Sequence, residues 1–208
     1  MKSFTTIPLS NDLSRRGALG ILAAGAAFAA AGPAKALNTA QARSLIDSAV
    51  AEITAIINSG KSEAAMYRDF ERVFARYADV PTIARFVLGP PARSASAAEL
   101  QAFAQAVQGY MARKYGKRFR EFIGGTVEVV DARQVNNFFE VRTVTKLRGE
   151  PSFLVSFMVS DRSGSDRFFD LVIEGISLVK TEQTEIGAML DRRGGSIARL
   201  TADLQGIG

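Results

Sequence analysis

The chain of 208 residues contains no cysteine, no histidine and no tryptophan. Without cysteine there is no disulfide framework and no thiolate zinc site. Without histidine the commonest general base and metal ligand is missing. Glycine-rich phosphate loops, the dinucleotide fingerprint and zinc-ligand spacings are absent as well. The expectation is therefore no catalytic residue, no metal and no cofactor. The excess of positive over negative charge is small as well. The formal net charge is +5, but Lys2, Arg15, Arg16 and Lys35 against Asp12 place three of those five charges in the first 36 residues. The rest of the chain is close to neutral, which argues against a nucleic-acid partner.

What is present is a globular composition, 47% hydrophobic and 23% charged. Residues 1–36 read as a signal peptide. Ala18 to Ala31 is an apolar run of 14 residues, too short for a membrane-spanning helix. Ala34-Lys35-Ala36 puts small residues where signal peptidase reads. Ser14-Arg15-Arg16-Gly17-Ala18-Leu19 resembles the twin-arginine export motif. An ordinary export signal in which two arginines happen to adjoin is the other reading. Either route predicts a periplasmic protein. Residues 37–208, about 170 in all, suffice for one domain with a substantial core.

The first half reads as helices. Ala42, Leu45, Ile46, Ala49, Val50, Ile53 and Ile57 recur at helical spacing over Ala40–Asn58. Ser62 can cap a second helix, whose stripe is Met66, Phe70, Val73, Phe74 and Tyr77. Asp79-Val80-Pro81 opens a short third, with proline in its first turn, closed by Gly89-Pro90-Pro91. Ser96 and Glu99 form a capping-box pattern before a stripe running from Leu100 through Phe103, Val107, Tyr110, Met111 and Tyr115 toward Ile123. Such stripes are ordinary core or ligand wall. On that fourth helix Arg113, Lys117 and Arg120 share a face; they are candidates for a lipid headgroup or an anionic partner, against the plainer reading of a solvated face.

The second half reads as strands, the first a short one over Thr126–Asp131. Phe139, Val141, Thr143, Thr145 and Leu147 point one way, and Glu140, Arg142 and Lys146 the other. Phe153, Val155, Phe157 and Val159 alternate with serines at 152, 156 and 160. A polar loop carrying Gly164 follows, then a strand from Phe168 to Ile173. Helices near Thr184–Arg193 and after Ser196 complete the chain. Helices first and a meander after predict an α+β fold: a bent antiparallel sheet wrapped by N-terminal and C-terminal helices.

Phe169-Asp170 leading into Val172-Ile173-Glu174-Gly175-Ile176-Ser177-Leu178-Val179, with Arg85-Phe86-Val87-Leu88-Gly89 upstream, resembles the signatures of the MlaC, or toluene-tolerance, family of periplasmic phospholipid carriers. The hallmark positions are Leu88, Gly89, Asp170, Glu174, Gly175 and Ser177. The resemblance spans about Leu37 to Gly208. It departs where the family usually has tryptophan shortly before the aspartate; here Arg167-Phe168-Phe169 stands there. The resemblance implies a monomeric, non-enzymatic carrier with a fold like nuclear transport factor 2 and a lipid cavity between sheet and helices. It implies cargo exchange between an outer-membrane lipoprotein–porin complex and an inner-membrane ABC transporter with an MCE-type lipid-binding ring. One branch of the family accompanies hopanoid biosynthesis, so a hopanoid-like cargo is a second possibility.

A diacyl lipid has about thirty methylenes to hide from water, on the order of 25 kcal/mol at about 0.8 kcal/mol each. Strand alternation proposes Phe139, Val141, Phe153, Val155, Phe157, Phe169, Leu171 and Ile173 as the wall that hides them, with Phe86, Phe103 and Val107 opposite. Each is core on the competing reading. Gly175 and Gly124-Gly125 are candidate hinges. Two other functions compete. An isomerase or dehydratase on a similar fold needs a buried acid or base in the cavity. A protein-binding scaffold needs no cavity at all.

Overall fold

The computed structural model describes residues 37–207, the side chains of residues 119 and 120 excepted. The signal-peptide reading of residues 1–36 lies outside the described residues. Among the described residues six α-helices and five strands follow in order: α1 (Thr39–Ile57), α2 (Glu63–Tyr77), α3 (Val80–Leu88), α4 (Ala97–Gly116), β1 (Thr126–Val135), β2 (Phe138–Lys146), β3 (Phe153–Ser160), β4 (Arg167–Ile173), β5 (Ile176–Ser177), α5 (Leu178–Arg192) and α6 (Ile197–Gly206). Short 3-10 turns occupy Pro90–Arg93 and Lys117–Phe122.

The sheet is an antiparallel meander in the order β1-β2-β3-β4-β5. With the helices it makes the α+β fold that the residue pattern predicts. α1 lies on β1 and β2, while α4 packs among α2, α3 and α6. Local chemistry accounts for the helix starts. Asn38 and Ser96 each form a reciprocal capping box, with Gln41 and Glu99. Asp79 accepts the Thr82 N–H at 3.2 Å ahead of Pro81. Ser62 occupies the cap of α2 without a side-chain bond.

Three boundaries differ from the sequence reading. α4 stops at Gly116 rather than near Ile123, because the chain tightens into the 3-10 turn there. β1 continues to Val135, past a bulge at Val130 that its alternation does not announce. α5 begins at Leu178, six residues earlier than the apolar pattern indicates. The cause is the turn before it. Glu174 and Gly175 both have positive φ, 49° and 83°, and link Ile173 to its partner Ile176 as a two-residue hairpin. Ser177 then caps α5. Its hydroxyl donates to Asp170 Oδ2 at 2.6 Å, and Asp170 Oδ1 accepts the Val179 N–H at 3.1 Å. The Glu174 N–H donates to Leu154 O at 3.1 Å, and the Glu174 carboxylate accepts the Leu154 N–H. The hallmark run from Asp170 to Ser177 is thus the joint between sheet and α5.

Candidate functional site

Helix and sheet layers close at one end and part at the other. At the closed end Ala42 and Ile46 of α1, Phe103 and Val107 of α4, and Val141 and Val159 of the sheet are almost wholly buried. Toward the other end the layers enclose a cavity of about 450 Å³, within the size range of small-molecule sites. Val50, Ile53 and Ile57 of α1, Phe70 and Phe74 of α2, and Met111 of α4 form one wall. The opposite wall is a registered patch of three strands. Thr143 pairs with Val155, Thr145 with Phe153, Val155 with Ile173 and Phe157 with Leu171; all of these line the cavity.

Three hydroxyls in the walls are taken up by hydrogen-bond acceptors of the protein itself. The Thr143 hydroxyl donates to Val155 O at 3.0 Å. The Tyr77 hydroxyl donates to Glu52 at 2.7 Å, and the Tyr115 hydroxyl to Glu182. The hydrogen bond to Glu52, with burial behind it, raises Tyr77 above the usual phenol range. Burial first, then Glu182, raises Tyr115 further. Both phenols stay protonated as donors. Glu182 itself is fully buried and shared with Lys114 at 2.7 Å. Burial works against the Lys114 charge, but hydrogen bonds to Glu182 and Glu185 outweigh it and hold the ammonium well above the usual lysine range. Charged lining groups, namely Arg118, Glu121, Glu150 and Glu174, are all exposed and stand at the open end.

Of the residues proposed from alternation, Phe153, Val155, Phe157, Leu171 and Ile173 line the cavity. Six stand elsewhere. Phe86 is 42% exposed, at the edge of α3 outside its buried stripe of Val80, Ala84 and Val87. Phe103 and Val107 share a stripe with Met111 and Tyr115, but Phe103 sits about 18 Å from Tyr115 along the axis at 1.5 Å per residue. Phe103 and Val107 are fully buried, and neither lines the cavity. Phe139 and Val141 face the same way as Thr143, yet lie at the closed end of the sheet. Phe169 fails for a different reason. A bulge in β4 sets Val159 opposite Phe168 while Met158 opposes Asp170, so Phe169 is the extra residue. Phe168 takes the inward place, and Phe169 packs edge-on against Phe138 at 5.7 Å. The basic trio also separates. Arg113 donates to Leu204 O and Ile207 O, at 2.6 and 3.0 Å, closing the end of α6. Lys117 is exposed beyond the end of α4, in the 3-10 turn, where the helical spacing no longer holds. The Arg120 side chain lies outside the described residues. Leu88 is core, and Gly89 ends α3.

The lining also includes Thr143 and Thr145, which share the inward face of β2 but are polar, and Phe70 and Phe74 of α2, whose helical stripe does not by itself name a neighbour. Residues 47–206 match the model of the MlaC protein family. The chain belongs to the MlaC family. A solved structure with the same fold is the phospholipid-binding protein from Ralstonia solanacearum, determined in complex with a phospholipid. The TM-score is 0.68 at 18% identity, over 79% of this chain and 95% of that one.

Proposed function

We propose that this MlaC-family protein is a lipid carrier that holds phospholipid acyl chains in the cavity between its sheet and helices. The observation that carries this reading is an apolar, aromatic-rich cavity of about 450 Å³ whose charged lining groups are confined to its open end. Apolar tails lose water inside it, and the headgroup stays wet. The likeness to a phospholipid-binding protein supports the same cargo. Against an acid–base enzyme stands the placement of the carboxylates. Those among the lining residues are all exposed at the mouth, and the buried Glu182 is bonded to Lys114 and Tyr115 behind the wall.

On this reading the protein is exported to the periplasm by its leader, by the twin-arginine route. There it passes lipid between an outer-membrane lipoprotein–porin complex and an inner-membrane ABC transporter with an MCE-type ring. Among the described residues no helix is long and apolar enough to cross a membrane, which fits a carrier moving between two membranes. Mass spectrometry of organic extracts from purified protein tests the cargo. Stoichiometric phospholipid is the expected result; a hopanoid would change the lipid class, and protein that never carries lipid would refute the carrier.

A further inference from the structure

Arg148 stands in the turn between β2 and β3, bracketed by Leu147 and Glu150, which both line the open end of the cavity. Its guanidinium is laid against Gly124. A Cβ added to Gly124 would meet Arg148 Nε at 2.5 Å and Cζ and Nη2 at 2.8 Å. Gly124 also has φ +74°, a backbone conformation that favours glycine, and the arginine lies in the space a side chain there would take. Gly125, the next residue, lines the cavity, and its own added Cβ would meet Lys146 O at 2.5 Å. The two glycines therefore press the end of the 3-10 turn onto the end of β2. They act by close approach, and one result is a guanidinium held beside the lining residues Gly125 and Leu147, just outside the lining itself. The other rim arginine, Arg118, is taken up by Glu121 at 3.1 Å. Among the described residues no carboxylate pairs with Arg148. A guanidinium placed by a backbone contact yet lacking a counter-ion presents its fork of N–H donors to solvent, the arrangement that binds a phosphate oxyanion.

Resting on the lipid-carrier reading above, we propose that Arg148, seated on Gly124, binds the phosphate of the lipid and makes the carrier prefer phosphodiester lipids to neutral lipids with the same tails. Tails held in the cavity put the headgroup at its open end, where Gly125 and Leu147 line it and Arg148 stands next in the chain. This assigns recognition to a residue in a turn, not to the basic face of α4.

The test offers purified protein to vesicles containing equal dioleoylphosphatidylglycerol and dioleoylglycerol and reads the bound species by native mass spectrometry. Wild type is expected to favour the phospholipid. Arg148→Gln is expected to lower the phospholipid-to-diacylglycerol ratio about tenfold, the worth of one charge-assisted hydrogen bond. Arg148→Lys keeps the charge but not the fork and falls between. Gly124→Ala displaces the guanidinium and lowers the ratio too; should that variant not fold, Arg148→Gln decides alone. Wild type that loads both lipids, with an unchanged ratio in Arg148→Gln, overturns this inference and leaves the carrier standing. Wild type that loads neither overturns both. An NMR titration of the Arg148 Nε–H separates the two sources of phosphate. A shift with phospholipid but not with inorganic phosphate at equal concentration supports a lipid headgroup; an equal shift with inorganic phosphate alone overturns that assignment.

Discussion

Val155→Glu separates cavity from core more sharply than any other single change. Val155 is 8% exposed, lies between Thr143 and Ile173 in the sheet register, and faces the cavity. A carboxylate there meets two environments. With no lipid, a cavity of about 450 Å³ has room for some fifteen waters at roughly 30 Å³ each. The carboxylate is then hydrated, and the fold loses only the burial of valine, about 1.5–3 kcal/mol. With acyl chains present the water is gone. The carboxylate must be enclosed, at a penalty of several kcal/mol, or take up a proton. A pKa raised by about three units to allow that corresponds to about 4 kcal/mol, a thousandfold in affinity. Lipid recovered per mole of protein should therefore fall below detection at neutral pH while cooperative thermal unfolding persists. Loading should recover in part below the ordinary carboxyl range. Val155→Ala, which adds space and no charge, should keep its lipid. A Val155→Glu protein that carries wild-type lipid at neutral pH would refute the cavity assignment.

Phe103→Ala should behave in the opposite way: its ring is fully buried away from the cavity, so it should lower the unfolding free energy by about 3–5 kcal/mol in urea titration, while the protein that remains folded still carries lipid. Lys114→Met leaves the buried Glu182 without its cation and should cost about 3–5 kcal/mol, with Glu182→Gln added in the same chain restoring part of it. Because the Lys114 pKa is raised in the folded protein, its contribution should be complete at neutral pH and disappear only as pH climbs from the ordinary lysine value through the folded one; wild-type stability measured upward from pH 9 should lose an increment that the double variant does not lose. Two glycines with open space around them should respond with opposite sign. Gly175→Ala, at φ +83°, should destabilise by about 1–2 kcal/mol, whereas Gly187→Ala inside α5, where an added Cβ meets nothing within 4 Å, should stabilise by about 0.5–1 kcal/mol. Equal responses in chemical denaturation would contradict those backbone assignments.

Periodicity and capping chemistry, both local, made most of the architecture legible in advance. Stripes and caps located α1 through α4, because an N-cap hydroxyl or carboxylate acts within three residues of itself. Alternation assigned the inward faces of β2 and β3, since the pleat admits only two choices. The hallmark residues from Leu88 to Ser177 pointed to the family before any geometry was known. Where a strand slips by one residue, alternation misleads. The β4 bulge turned Phe168 inward and Phe169 outward, and nothing in Arg167-Phe168-Phe169-Asp170 distinguishes the two rings.

Depth along an element was decided by tertiary structure alone. Phe103 and Tyr115 belong to one stripe, and Val141 and Thr145 to one face, but helix and sheet meet at one end and diverge at the other. A side chain's direction follows from its own backbone. Whether that direction leads into a packed core or an open cavity depends on the distance to a partner layer elsewhere in the chain. Composition and spacing determined that this chain has apolar faces to bury; only the way those faces fail to meet made room for a guest.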